Sequence, residues 1–156
     1  MRRNVIKSIY LVDDDEDDRM IFGEVLSEVC PSIDLRMLQS GQELSELLCM
    51  DLEPLPDIIF LNVNMPMKNG FDCLREIRSR QDDLKFLRIL MFSTSKNPET
   101  ITASMRLGAD FYAVKPASLS DFRMLIIKVL EIDWTLPAAD KVFTLNRPGV
   151  SSARPQ

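Results

Sequence analysis

The chain contains no histidine. That removes the side chain most often used as a general base near neutral pH, and the commonest ligand of transition metals. Cysteine is scarce. Cys30, Cys49 and Cys73 are odd in number, scattered and without CxxC or metal spacing, so they read as reduced residues used for packing or on the surface. Long apolar runs are missing as well. Stretches such as Ile89-Leu90-Met91-Phe92 and Leu125-Ile126-Ile127 are far too short to span a bilayer, so no membrane association is expected. The basic start Met1-Arg2-Arg3-Asn4 is not followed by the apolar core of a signal peptide before Asp13, and the expectation is a cytoplasmic protein. Nor is there a basic excess. The net charge of −5 gives no hint of a nucleic-acid-binding face. No internal repeat is visible.

What is present fits one soluble domain: 156 residues, 46% apolar and 28% charged, enough for a single core. Five short apolar runs alternate with five amphipathic stretches. The first run is residues 8–12, followed by Ile21, Phe22, Val25, Leu26 and Val29 at helical spacing. The second alternates Ile33, Leu35, Met37 with polar residues, as at a sheet edge. Ser40 and Glu43 then form a capping-box signal before Leu44, Leu47 and Leu48. The third run, 57–63, is almost continuously apolar, as a strand buried on both faces requires. Phe71, Leu74 and Ile77 mark the third helix, and 86–92 reads as the fourth strand. Asn97-Pro98-Glu99 opens the fourth helix and Gly108 ends it. Residues 111–114 read as the fifth strand, and Ser118 with Asp121 starts the last helix. This alternation predicts an α/β fold, a doubly wound parallel sheet with right-handed crossovers. The domain is expected over 6–133. Residues 134–156 read as a C-terminal extension, mostly irregular or disordered, in which 142–145 form one short strand or a docked hook.

In an open parallel sheet the site lies beyond the carboxyl ends of the strands. After the first strand come Asp13, Asp14, Asp15, Glu16, Asp17 and Asp18. Asn62 follows the third, Ser93 and Thr94 the fourth, and Lys115-Pro116 the fifth. Two clustered carboxylates suit a hard cation such as Mg²⁺. A lysine supplies a point charge for an oxyanion, and a serine hydroxyl one hydrogen bond. Together they make a phosphoryl-binding pocket. Asp15 to Asp18 read more simply as a solvated acidic helix start.

Asp13-Asp14 after an apolar strand, Asn64-Met65-Pro66 with Gly70, Ser93-Thr94, and Lys115-Pro116, in that order, resemble the receiver domain of two-component response regulators. The resemblance spans about residues 6–133. It implies a five-stranded flavodoxin-like sheet of order 2-1-3-4-5, the order receivers are known to share. It also implies that Asp13, Asp14 and the main-chain carbonyl of Asn64 bind Mg²⁺. Ser93, Thr94 and Lys115 would contact the phosphoryl group, and Tyr112 falls at an aromatic switch position. Expected partners are a histidine kinase, a phosphotransfer protein or an effector. The family also suggests a homodimer through the fourth helix, fifth strand and fifth helix.

The sequence departs from that family at one decisive point. Asn62 stands where the phosphate-accepting aspartate belongs. A carboxylate oxygen attacks phosphorus, whereas a neutral amide oxygen is a far poorer nucleophile. Asp57 lies five residues back, roughly 16 Å away at the wrong strand end. The expectation is a stand-alone receiver that is not phosphorylated, binds Mg²⁺ weakly, works through protein contacts and is not an enzyme. Residues 134–156 are too few for a helix-turn-helix output domain. The alternative is a Mg-dependent phosphatase of the haloacid dehalogenase type, from Asp13-x-Asp15, although Asp17 departs from its signature. A flavodoxin-type flavin carrier is rejected, because six successive acids would repel a phosphate.

Overall fold

The computed structural model describes residues 5–50, 54–132 and 142–143. Strands β1 (Ser8–Val12), β2 (Asp34–Leu38), β3 (Ile58–Asn62), β4 (Ile89–Ser93), β5 (Phe111–Val114) and β6 (Val142–Phe143) pair in parallel. Their order is β2-β1-β3-β4-β5-β6, so the first five carry the expected doubly wound topology. The helices are α1 (Glu16–Val29), α2 (Gly41–Leu48), α3 (Gly70–Arg78), α4 (Pro98–Arg106) and α5 (Leu119–Leu130).

Each helix begins where a polar side chain can satisfy the free N–H groups of its first turn. Asp15, Ser40, Asn69, Asn97 and Ser118 each accept such a bond. Asn69 and Asp72 close a reciprocal capping box at α3. Helix α4 has Pro98 in its first turn and is followed by Gly108 at φ +106°, a conformation in which a Cβ is strained.

The sheet divides two apolar layers by the two-residue alternation of its strands. Ile9, Leu11, Ile58, Phe60, Leu90, Phe92 and Ala113 face α1 and α5. Tyr10, Val12, Ile59, Leu61, Met91, Tyr112 and Val114 face the side of α2, α3 and α4. On the first side Phe22, Phe60, Phe92 and Phe122 meet edge to face, with centroids 4.8–6.2 Å apart. Such pairs add about 1 kcal/mol each beyond area burial, and they make a rigid base beneath the strand ends.

One expectation changes and one open choice is resolved. The fourth strand starts at Ile89, not at residue 86. Asp83–Phe86 form a 3-10 turn capped by Asp82, and Phe86 is 70% exposed. Its aromatic ring beside an apolar run imitates strand composition, but Asp82 diverts the backbone into a turn first. Of the two readings for 142–145, a short strand or a docked hook, the described residues Val142–Phe143 take the first. Val142–Phe143 pair with Tyr112 and Ala113, so β5 is not an edge. The rest of 134–156, where an irregular or disordered extension is expected, lies outside the described residues.

Candidate functional site

Strand register brings the site residues to one rim. Val12 is paired with Leu61, Leu61 with Met91, and Met91 with Tyr112. One step further along lie Asp13, Asn62 and Phe92, then Ser93 beside Val114, then Lys115. The main-chain N–H of Asp13 donates to Leu38 O at 3.0 Å and that of Lys115 to Ser93 O at 2.7 Å, which extends the ladder to these positions. Gly70 sits behind Asn62. Its N–H donates to Val63 O at 2.8 Å, and a Cβ there would strike the main chain of Asn62.

The carboxamide of Asn62 is buried and directs its nitrogen at three oxygens. It donates to Asn64 O at 3.0 Å, Asp14 Oδ1 at 3.2 Å and Asp13 Oδ1 at 3.4 Å. These are the three residues the sequence puts forward as metal ligands. Lys115 completes the other half of the pocket. Its Nζ lies 2.8 Å from Asp13 Oδ2, 2.8 Å from Asp18 Oδ2 and 5.5 Å from the centre of the Phe92 ring. No hydrogen bond joins Lys115 to Asn62 among the described residues.

The two partners of the buried pair respond differently to their surroundings. Burial pushes the Asp13 carboxyl above its ordinary pKa, and the bond and charge of Lys115 only partly offset this. Burial also works against the Lys115 ammonium, but the bonds to Asp13 and Asp18 outweigh it and raise the pKa. Lys115 is therefore a firm cation, whereas Asp13 holds its charge at a cost.

Ser93 is almost wholly buried but turns away from this group. By the alternation of β4 it lies on the other face from Phe92, and its Oγ accepts the N–H of Ser95 at 3.0 Å. Thr94 is exposed and shares no hydrogen bond with the pocket among the described residues. Tyr112 is fully buried, and its hydroxyl donates to Ser95 O at 2.7 Å. Burial raises the phenol pKa, so it remains a donor. Ser93 and Tyr112 thus both bind the loop at Ser95, the approach to α4.

Asp18 is the residue that sequence reasoning misses, since it falls in what reads as a solvated helix start. The signal is its spacing. Asp18, Phe22 and Val25 lie four and three apart, on the buried stripe of α1. Arg19 is missed too; its guanidinium donates to Asp13 O at 2.9 Å. Asp15, by contrast, is a helix cap that accepts the N–H groups of Asp17 and Asp18, so the phosphatase reading of Asp13-x-Asp15 loses its second acid. Asp57 lies at the amino end of the sheet, where it accepts the N–H groups of Lys7 and Ser8. No group of three or more acidic or sulfur ligands with metal-binding geometry occurs among the described residues. No helix among them is long and apolar enough to cross a membrane.

Comparison with known proteins bears on the family and the fold. The model of the response regulator receiver domain matches residues 9–127. Response regulator Rcp1 of Synechocystis sp. is 33% identical over 145 residues, covering 87% of this chain and 97% of that protein. Among solved structures, the phosphorylated cyanobacterial phytochrome response regulator RcpA superposes with a TM-score of 0.74 at 29% identity, over 84% of this chain and 96% of that one. The Mn²⁺-bound form of Rcp1 superposes with a TM-score of 0.69 at 30% identity, over 79% and 91%.

Proposed function

This chain belongs to the response regulator receiver domain family, and we propose that it is a two-component signalling module whose pocket does not accept phosphate. The observation that carries this reading is Asn62: the side chain between the paired acids is an amide, and its nitrogen, not a carboxylate oxygen, faces them. In acyl-phosphate formation a carboxylate oxygen attacks phosphorus and the donor's leaving group departs with the bonding pair. The Asn62 oxygen has too little nucleophilicity for that step, and its amide protons are held by Asp13, Asp14 and Asn64 O, which leaves no base to activate it.

The donor set suits a hard divalent cation in kind. Asp13 Oδ1, Asp14 Oδ1 and Asn64 O already converge on one point, and these residues would hold Mg²⁺. The ion, when bound, would neutralise charge on a phosphoryl oxygen. Only two of these three ligands carry charge, and the Asn62 amide lies across the same point. One charge at 4 Å is worth about 4 kcal/mol at an effective dielectric of 20, before desolvation, so binding is weak. By the resemblance Lys115 would meet a phosphoryl group and Tyr112 would be the switch residue, whereas the Ser93 hydroxyl is engaged by the N–H of Ser95.

Signalling output runs through protein contacts with a kinase, a phosphotransfer protein or an effector. The surface of α4, β5 and α5 is the candidate for these contacts and for a homodimer, with β6 forming its outer strand. Incubation with Mg²⁺ and acetyl phosphate, followed by intact mass, tests the reading. The chain should gain no phosphate and Asn62→Asp should gain one. A stoichiometric adduct on the unaltered chain would overturn it.

A further inference from the structure

Asp18 occupies the third position of α1, where a carboxylate commonly turns back to the N–H of the capping residue. Asp72 does this in α3, accepting the Asn69 N–H at 3.1 Å. In α1 that N–H is already engaged, because Asp15 N donates to Asp13 Oδ1 at 3.0 Å. Asp18 is thereby released from the cap. It lies one turn before Phe22 on the face turned to the sheet, and its Oδ2 reaches Lys115 Nζ at 2.8 Å. Asp17, its neighbour, is exposed and its side chain makes no hydrogen bond or ion pair among the described residues.

Two of the three ammonium donors of Lys115 are thus engaged from within. Its side chain is 10% exposed, two carboxylates hold the ammonium, and an aromatic ring flanks it. An oxyanion that approached this lysine would compete with Asp18 for the ammonium and would meet the charges of Asp13 and Asp14 nearby. We infer that Asp18 is a positioning residue that draws Lys115 toward α1 and competes with any phosphoryl oxygen for it. The inference rests on the receiver reading of the pocket. It adds a second barrier to phosphate, independent of the amide at Asn62: one residue withholds the nucleophile, the other withholds the cation that would receive the oxyanion. It assigns Asp18 the effect of a built-in anion at the phosphoryl position.

Two measurements on the full chain separate these barriers. In the first, Asn62 is retained and thermal midpoints are compared in inorganic phosphate and in chloride of matched ionic strength. The unaltered chain and Asp17→Asn should show no phosphate-specific shift, and Asp18→Asn should rise by roughly 2 °C or more. In the second, Asn62→Asp supplies an acceptor and acetyl phosphate is titrated with Mg²⁺. Adding Asp18→Asn should lower the half-saturating donor concentration about tenfold, the worth of a charged hydrogen bond, with the maximal rate little changed. Asp18→Glu should restore the parent behaviour, and Asp17→Asn should leave it unaltered. If Asp18→Asn matches Asp17→Asn in the phosphate melts, the role assigned to Asp18 is wrong. If Asn62→Asp gains no phosphate, the acceptor reading of position 62 fails, and the melts decide the question of Asp18 alone.

Discussion

Two lysines in this molecule are each held by a carboxylate and a second oxygen, yet the two clusters differ in physical character. Lys68, in the loop before α3, donates to Glu76 of α3 and to Ser45 of α2. The side chains of the ion pair are 27% and 38% exposed. Pairing dominates there: the bond to Glu76 raises the Lys68 pKa, and the bond to Lys68 lowers that of Glu76. Lys115 and Asp13 are nearly inaccessible, and burial is the largest influence on both. In the first cluster both partners gain from meeting, and the result is a tie between two helices. In the second, Asp13 holds its charge at a cost. Charges retained under such a penalty, at the rim of a parallel sheet, mark a site that exists for something other than stability.

The sharpest way to break the comparison is to remove each lysine. Lys115→Met strands Asp13 in a dry position and should cost about 3 kcal/mol in urea unfolding near neutral pH. Lys68→Met should cost about 1 kcal/mol or less, because water can replace the missing ammonium. Equal losses would erase the distinction. The deficit of Lys115→Met should also shrink in acid. The Asp13 pKa is already raised, so protonation as pH falls removes the unpaired charge.

A smaller effect should follow from placing a carboxylate at position 62. Without metal, Asn62→Asp places a third acid beside Asp13 and Asp14 in place of an amide that donates to both, and should lower stability by about 1–2 kcal/mol. Mg²⁺ should recover that loss in the variant and leave the thermal midpoint of the unaltered chain almost unchanged. A large Mg²⁺ stabilisation of the unaltered chain would contradict the view that the amide weakens the metal site.

The smallest effect concerns pH at the surface cluster. The folded pKa of Glu76 is depressed, so its contribution is present above the ordinary carboxylate range and is lost as pH falls through the folded value. The unaltered chain should exceed Glu76→Gln modestly near pH 7, and the two should converge as pH falls below the ordinary carboxylate range. Asp13 works in the opposite sense. Its raised pKa means that protonation relieves a cost, so the two clusters should pull the acid limb of the stability curve in opposite directions.

Much of the scaffold was legible because its signals are local. Asn97-Pro98-Glu99 and Ser118-x-x-Asp121 announce helix starts through groups that bond within one turn, and both helices begin there. Residues 57–63 read as a doubly buried strand from composition, and β3 is buried throughout. Phe86 misled for the same local reason: its ring extends an apolar run, while Asp82, four residues earlier, directs the backbone into a turn. Residues 142–145 read as either a short strand or a docked hook because so short a run has no periodicity to choose between them, and pairing with β5 makes Val142–Phe143 a strand.

By composition and spacing alone, this sequence determined a parallel sheet and the arrival of acids, an amide, a hydroxyl and an ammonium at one end of it. Those facts depend on alternation and on the order of elements along the chain. Only the folded molecule decided that the amide nitrogen of Asn62 faces the acids and that Asp13 and Asp18 together hold Lys115. These outcomes are set by contacts between residues 48 to 102 positions apart. No local propensity encodes which partner a buried charge will find, since that depends on which groups the packed strands leave within reach of it.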